Sequence, residues 1–238
     1  MVTKARRGRA WRRTSIHESG AFTPIGSFSA IAVSGDGEVI AGSRPATGAF
    51  TEAVRWQDGV LTGLGDLDGG NLLSRANDVS QDGSVIVGFG SLGPGGSDVI
   101  EAVRWDDGVI MGLGHPGDAT WSVANAVSAD GGVVVGEAMF LNTLGFPETH
   151  AAIWDGQGAQ WLEDVLEETF GLDLSQYSLD RAVGISADGR TIVGVGSYYP
   201  SEDGFGQAIG WLVVIPEPAT AALVALGLLA IAAKHRHS

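Results

Sequence analysis

The 238-residue chain has no cysteine, so it offers no disulfide, no thiolate nucleophile and no thiolate metal ligand, and redox chemistry says nothing of its compartment. Basic residues are scarce and unevenly placed. Of the fourteen lysines and arginines, six stand before Thr14 and two, Lys234 and Arg236, lie at the far end; residues 14–233 hold six arginines against twenty-eight acids, a net of −22. Such a body repels phosphate backbones, which argues against nucleic acid as a partner. Cations or neutral glycans suit it better. Histidine is equally sparse. The body carries only His17, His115 and His150, none in a nucleophile motif, so no Ser-His-acid triad is read and no catalytic residue is assigned. Long apolar runs are missing except at residues 219–233.

What is abundant is glycine, thirty-seven residues in a chain that is 44% hydrophobic, a composition of short strands joined by tight turns. One phrase recurs four times: AVSGDGEVIAG from Ala32, DVSQDGSVIVG from Asp78, AVSADGGVVVG from Ala126 and GISADGRTIVG from Gly184. Asp-Gly between two apolar runs predicts a hairpin, because both residues tolerate the positive φ that tight turns need. A second phrase follows each: EAVRWQDGVLTGLG at Glu52, EAVRWDDGVIMGLG at Glu101, HAAIWDGQGAQWL at His150 and QAIGWLV at Gln207. The first three predict another hairpin, and the fourth is cut short by Pro216 and Pro218.

The turn aspartates Asp36, Asp82, Asp130 and Asp188 are 46, 48 and 58 residues apart. Four strands per period predict an all-β fold of four four-stranded repeats, either a small four-bladed β-propeller or a β-solenoid, over residues 20–215. FTPIGSF from Phe22 aligns with LTGLGDL from Leu61, an outer strand, so the N-terminal segment is expected beside the last blade, closing a ring. Within the one long insertion, Leu162, Val165, Leu166 and Phe170 form an apolar helical stripe that ends at Gly171, predicting a short helix on the ring's edge. Residues 1–19 are read as a basic, disordered N-terminus.

From Val214 the chain runs VIPEPATAALVALGLLAIAAKHRHS, with residues 216–238 set apart from the repeats. Fifteen apolar residues as a helix reach about 22 Å against a hydrocarbon core of roughly 30 Å, a marginal span. A basic stop after them fits a helix inserted with its tip in the cytoplasm. Pro216-Glu217-Pro218, an apolar helix over 219–233 and a basic tip with Lys234 and Arg236 resemble the PEP-CTERM sorting signal of exported bacterial proteins. That resemblance implies a partner, an exosortase-type transpeptidase in the membrane, for which Pro216, Glu217 and Pro218 are the recognition element. It also implies a route through the inner membrane to the cell surface or extracellular matrix. The repeats resemble HAF-type repeats of exported bacterial proteins, in which IS-x-DG-x-x-I-V-G phrases alternate with aromatic-Trp phrases. Where those show His-Ala-Phe, this chain has Glu52-Ala53-Val54, Glu101-Ala102-Val103, His150-Ala151-Ala152 and Gln207-Ala208-Ile209. MVTKARRGRAWRRTS, with twin arginines at Arg6-Arg7 and Arg12-Arg13, has no apolar stretch behind it and is not read as a secretory signal.

Two features stand out as candidate sites. Asp66, Asp68 and Asn71 in GDLDGGN are hard oxygen ligands suited to calcium, and equally ordinary turn formers. Trp56, Trp105, Trp154 and Trp211 share one repeat position, which predicts core packing, while Trp121 and Trp161 fall outside that register and are the better contact residues. The sequence therefore predicts a non-catalytic, exported binding or structural propeller carrying a membrane-sorting tail. Its alternatives are an enzyme acting on extracellular polysaccharide, with paired carboxylates at one face, and a calcium-dependent adhesion module.

Overall fold

The computed structural model describes residues 24–46, 50–69, 73–93, 99–200 and 206–215. Among these residues fifteen strands form four consecutive antiparallel sheets. Blade I holds β1 (Ser29–Val33), β2 (Val39–Pro45), β3 (Thr51–Gln57) and β4 (Val60–Gly65). Blade II holds β5 (Arg75–Val79), β6 (Val85–Ser91), β7 (Ile100–Asp106) and β8 (Val109–Gly112), and blade III holds β9 (Trp121–Val127), β10 (Val134–Leu141), β11 (Pro147–Asp155) and β12 (Gly158–Trp161). Blade IV holds β13 (Tyr177–Ile185), β14 (Thr191–Tyr198) and β15 (Gln207–Val214). Strand order follows chain order within every sheet, the meander of a propeller blade rather than the parallel coils of a solenoid.

The two kinds of Asp-Gly turn fold differently. Asp58-Gly59 and Asp107-Gly108 have positive φ at both residues (52° and 81°, 48° and 87°), the geometry of two-residue hairpins. In the Ser-x-Asp-Gly turns only the glycine is left-handed, with φ between 72° and 75° at Gly37, Gly83, Gly131 and Gly189. Here the aspartate works through its side chain. Oδ1 of Asp36, Asp82, Asp130 and Asp188 accepts the hydroxyl of Ser34, Ser80, Ser128 and Ser186 at 2.7, 2.8, 2.6 and 2.5 Å. The same oxygen accepts the backbone N–H two residues on, while each serine Oγ accepts the N–H five residues on, at or just before the start of the next strand. Ser34, Ser80 and Ser128 are buried, so these turns bring satisfied polar groups into the core.

The blades pack face to face in sequence, I on II, II on III and III on IV. Three apolar clusters fill the joints. Trp105 of blade II lies wholly buried among Val39, Ala41 and Leu64 of blade I, and Trp154 of blade III lies with Val85 and Val87 of blade II. Trp105 Nε1 donates to the Leu64 carbonyl at 3.0 Å and Trp154 Nε1 to the Gly114 carbonyl at 3.2 Å, so each indole reaches the outer part of the preceding blade. The expected core role of the repeated tryptophans holds for these two, while Trp56 and Trp211 are half-buried.

Two expectations met a different outcome. Blade IV has three strands, and no strand among the described residues pairs with the free edge of β15. Residues 24–28, the described part of FTPIGSF, form no strand; Pro24 has no N–H to give a ladder. Phe22 and Thr23 lie outside the described residues. Among the described residues, blades I and IV consequently share no interface comparable to the three joints, and the four blades form an arc. The expected helix is present as one α-turn, α1 (Leu162–Asp164), which widens into a π-helical segment (Val165–Thr169) and stops at Gly171 with φ 66°. Leu162 and Leu166 are buried against Leu179, Ala182 and Ile192, so the insertion seals the joint of blades III and IV.

Candidate functional site

The joints between blades reuse one polar pair, and its variation builds the site. Four residues before each repeat tryptophan stand Glu52, Glu101, His150 and Gln207; eight residues before each turn aspartate stand Phe28, Ser74, Ser122 and Asp180. At the joint of blades I and II, Glu52 pairs with Arg44 at 2.7 Å, and buried Ser74 accepts the Ala53 N–H and donates to the Gly65 carbonyl. At the next joint, Glu101 accepts the Gly114 N–H at 2.8 Å, and buried Ser122 accepts the Ala102 N–H and meets His115 Nδ1 at 2.9 Å. Both joints are closed structural pairs. At the joint of blades III and IV the same positions carry His150 and Asp180, and a cleft of about 500 Å³ opens there, lined by Glu148, Thr149, His150, Ser178, Asp180, Ser197 and Tyr199.

β11 supplies Glu148, Thr149 and His150, β13 supplies Ser178 and Asp180, and the end of β14 supplies Ser197 and leads to Tyr199. His150 Nδ1 meets Glu163 Oε2 at 3.1 Å, and the other oxygen of Glu163 accepts the Leu179 N–H at 2.6 Å. The insertion thus ties the histidine to blade IV. The Glu163 hydrogen bond raises the imidazole pKa above its ordinary value against the opposing effect of burial, with Glu148 and Asp180 adding attraction. Phe140 and Trp161 flank the ring, with centroids 5.4 and 5.9 Å from it. Ser178 donates to Asp180 Oδ1 at 2.7 Å, and Asn142 donates to Glu148 Oε1 at 2.6 Å. Of the aromatics on blade IV, Tyr199 lines the cleft and is 43% exposed, while Tyr177 and Tyr198 pack ring to ring at 5.1 Å one strand position away from the lining residues Ser178 and Ser197.

His150, to which the sequence assigns no catalytic role, lies mid-strand in β11 and lines the cleft between blades III and IV. The signal was available in the repeat itself, since His150 and Asp180 break a Glu-Ser pattern shared by the two earlier joints. Trp161, proposed for exposed contact, is half-buried behind His150, and Trp121 is half-buried on β9.

The calcium candidates separate. Asp66 Oδ1 accepts the N–H of Leu67 at 2.9 Å and of Ser91 at 2.7 Å, while Oδ2 accepts the Leu73 N–H at 3.0 Å and the Ser91 hydroxyl at 2.5 Å. Its lone pairs are directed at donors, which makes it a clip between the blade I–II connection and β6 and a poor fit for a cation. Asp68 is exposed, Asn71 lies outside the described residues, and among the described residues no group of three acids and histidines is set to hold a metal. Pro216, Glu217, Pro218, the 219–233 segment, Lys234 and Arg236 also lie outside them. Among the described residues no helix is long and apolar enough to cross a membrane.

No family model matches the chain, and neither does any curated protein. Among solved structures it is similar to TolB from Acinetobacter baumannii, at 16% identity and a TM-score of 0.49, covering 84% of this chain and 47% of that one. It is also similar to a candidate TolB from Agrobacterium tumefaciens, at 15% identity and a TM-score of 0.48, covering 77% of this chain and 65% of that one. The chain therefore spans about half the length of the first.

Proposed function

We propose that this protein is an exported, non-catalytic surface or matrix component whose blades present a glycan-binding cleft between blades III and IV. The observation that carries the binding reading is the replacement of the Glu-Ser joint pair by His150 and Asp180 in a cleft that Tyr199 also lines. The turn aspartates and Trp105 and Trp154 are consumed by the fold, so the cleft is where the repeat departs from structural need. A body of −22 favours neutral or cationic saccharides over anionic ones.

Its delivery is supported by the Pro216-Glu217-Pro218 motif, the apolar segment and the basic tip, which together suit an exosortase-type partner. Mass measurement and fractionation of the protein from its native host test that route. A product lacking residues beyond about Pro218 in the surface fraction is expected; full-length protein confined to the cytoplasm overturns it. The cleft is tested separately by titrating neutral oligosaccharides against protein carrying Tyr199→Ala and Asp180→Ala, each expected to weaken binding.

A second reading, a polysaccharide-cleaving enzyme, is favoured by the presence of Glu148 and Asp180 in the same cleft as a histidine of raised pKa. Release of reducing ends that is abolished by Asp180→Asn would establish it. Calcium-dependent adhesion through Asp66 and Asp68 requires Asp66 to give up four donors, and a rise in melting temperature on adding calcium would be its sign.

A further inference from the structure

The three joints repeat the same contacts in one direction, and both ends of the arc display the unmatched halves. Along the turns the Gly35 N–H donates to the Gln81 carbonyl at 2.8 Å, the Gln81 N–H to the Ala129 carbonyl at 3.0 Å and the Ala129 N–H to the Ala187 carbonyl at 3.0 Å. This ladder leaves a donor, the Ala187 N–H, at one end and an acceptor, the Gly35 carbonyl, at the other. The packing has the same polarity. A Cβ at Gly83 or Gly131 would collide with Val39 or Val85 of the preceding blade, and one at Gly189 would stand 3.3 Å from Val133, whereas Gly37 has nothing within 4 Å.

The apolar partners follow suit. Each joint cluster unites a β2-type residue with a β1-type residue of the next blade: Ala41 with Val79, Val87 with Val127, Val135 with Ile185. The equivalents at the ends are Val193 on blade IV and Val33 on blade I. Val193 is 37% exposed where Ala41, Val87 and Val135 are at 0%, and Val33 is 58% exposed where Val79 and Val127 are at 7% and 6%. Leu212 and Val214 extend the uncovered face of blade IV, and half-buried Trp56 occupies on blade I the place from which Trp105 and Trp154 reach a preceding blade.

We propose that the uncovered face of blade IV docks on the uncovered face of blade I of a second copy of this chain, continuing the inter-blade joint head to tail between molecules. The occupant is a second copy because the two faces match by repeat position, in hydrogen-bond polarity and in shape, while among the described residues of one chain they share no comparable interface. Such a contact is heterologous: it closes into a ring when the rotation permits and otherwise extends.

The absence of cysteine gives the test a clean background. Full-length chains carrying Val193→Cys and Val33→Cys are mixed in mild detergent, which keeps the apolar 219–233 segment in solution, and oxidised or treated with a short bis-maleimide. Cross-linked dimer is expected from the mixture and not from either variant alone; cross-linking of each variant to itself, or of neither, overturns the proposal. When both substitutions are placed in one chain, cross-linked oligomers are expected, whereas a cross-linked monomer would mean the ring closes within the chain and also overturns it. Light scattering supplies an independent readout. Val193→Glu, at an exposed position, is expected to keep the circular dichroism spectrum while weakening self-association by more than about tenfold, since docking would bury a lone carboxylate. Self-association unchanged by Val193→Glu would place the contact elsewhere.

Discussion

Replacing Ser80 with alanine is the sharpest probe of the Ser-x-Asp-Gly turn. The hydroxyl is 1% exposed as a residue, donates to Asp82 Oδ1 at 2.8 Å and accepts the Val85 N–H at 3.0 Å. Alanine leaves that buried N–H without its side-chain acceptor, at about 1–3 kcal/mol, and removes a charge-assisted bond to a solvent-facing carboxylate that contributes little more. A loss of about 2 kcal/mol corresponds to roughly 4–8 °C in melting temperature for a domain of this size. Ser84 is the control, because its hydroxyl also reaches Asp82 Oδ1, at 2.7 Å, but in an exposed setting and without an N–H depending on it. Urea unfolding followed by circular dichroism should show Ser80→Ala well below wild type and Ser84→Ala within about 0.5 kcal/mol of it. Equal effects from the two substitutions would refute the claim that the buried serine, and not the aspartate alone, holds the turn.

Other predictions rest on separate contacts. Trp105→Ala should cost about 3–5 kcal/mol through the cavity it leaves, and Trp56→Ala clearly less in dilute protein, as read by urea midpoints. The pKa of Asp82 is lowered to about 2, chiefly by the Ser84 N–H and hydroxyl, and those of Asp130 and Asp188 are lowered chiefly by Ser128 and Ser186. A folded-state pKa below the unfolded one means stability present above about pH 4 and lost as pH falls toward 2, so acid titration should show unfolding in that window, with an Asp82→Asn chain less sensitive to it. His150 has the opposite sign: its raised pKa contributes stability below about pH 6.5 that disappears as pH rises through the folded-state value. Melting temperatures across pH 5.5–8.5 should therefore fall in wild type relative to His150→Gln, and parallel curves would count against the Glu163 pairing. Replacing Pro216-Glu217-Pro218 by alanines should leave folding intact and hold uncleaved protein in the membrane, checked by fractionation; normal surface delivery would count against sorting.

The turns, the strands and their order were legible because they are local. A Ser-x-Asp-Gly phrase closes its own hydrogen bonds within six residues, a period of two marks each strand, and repetition multiplies the signal, so the meander of four sheets follows from the chain alone. The apolar stripe from Leu162 to Phe170 was legible for the same reason, although its widening into a π-helical segment was not. Whether Asp66 is a calcium ligand or a turn former is not legible locally, because oxygen-rich loops look alike in sequence and only folding brings Ser91 to this carboxylate. His150 and Asp180 lie thirty residues apart on different sheets. Each is unremarkable by itself, and only the face-to-face packing of blades III and IV brings them into one cleft with Glu148 and Tyr199. Ring closure belongs to the same class. The amino-acid sequence specified blades, because hydrogen bonding within a meander is satisfied residue by residue; the tertiary structure decided that four of them form an arc with two matching open faces, because the angle between packed sheets is set by side chains meeting across every joint at once.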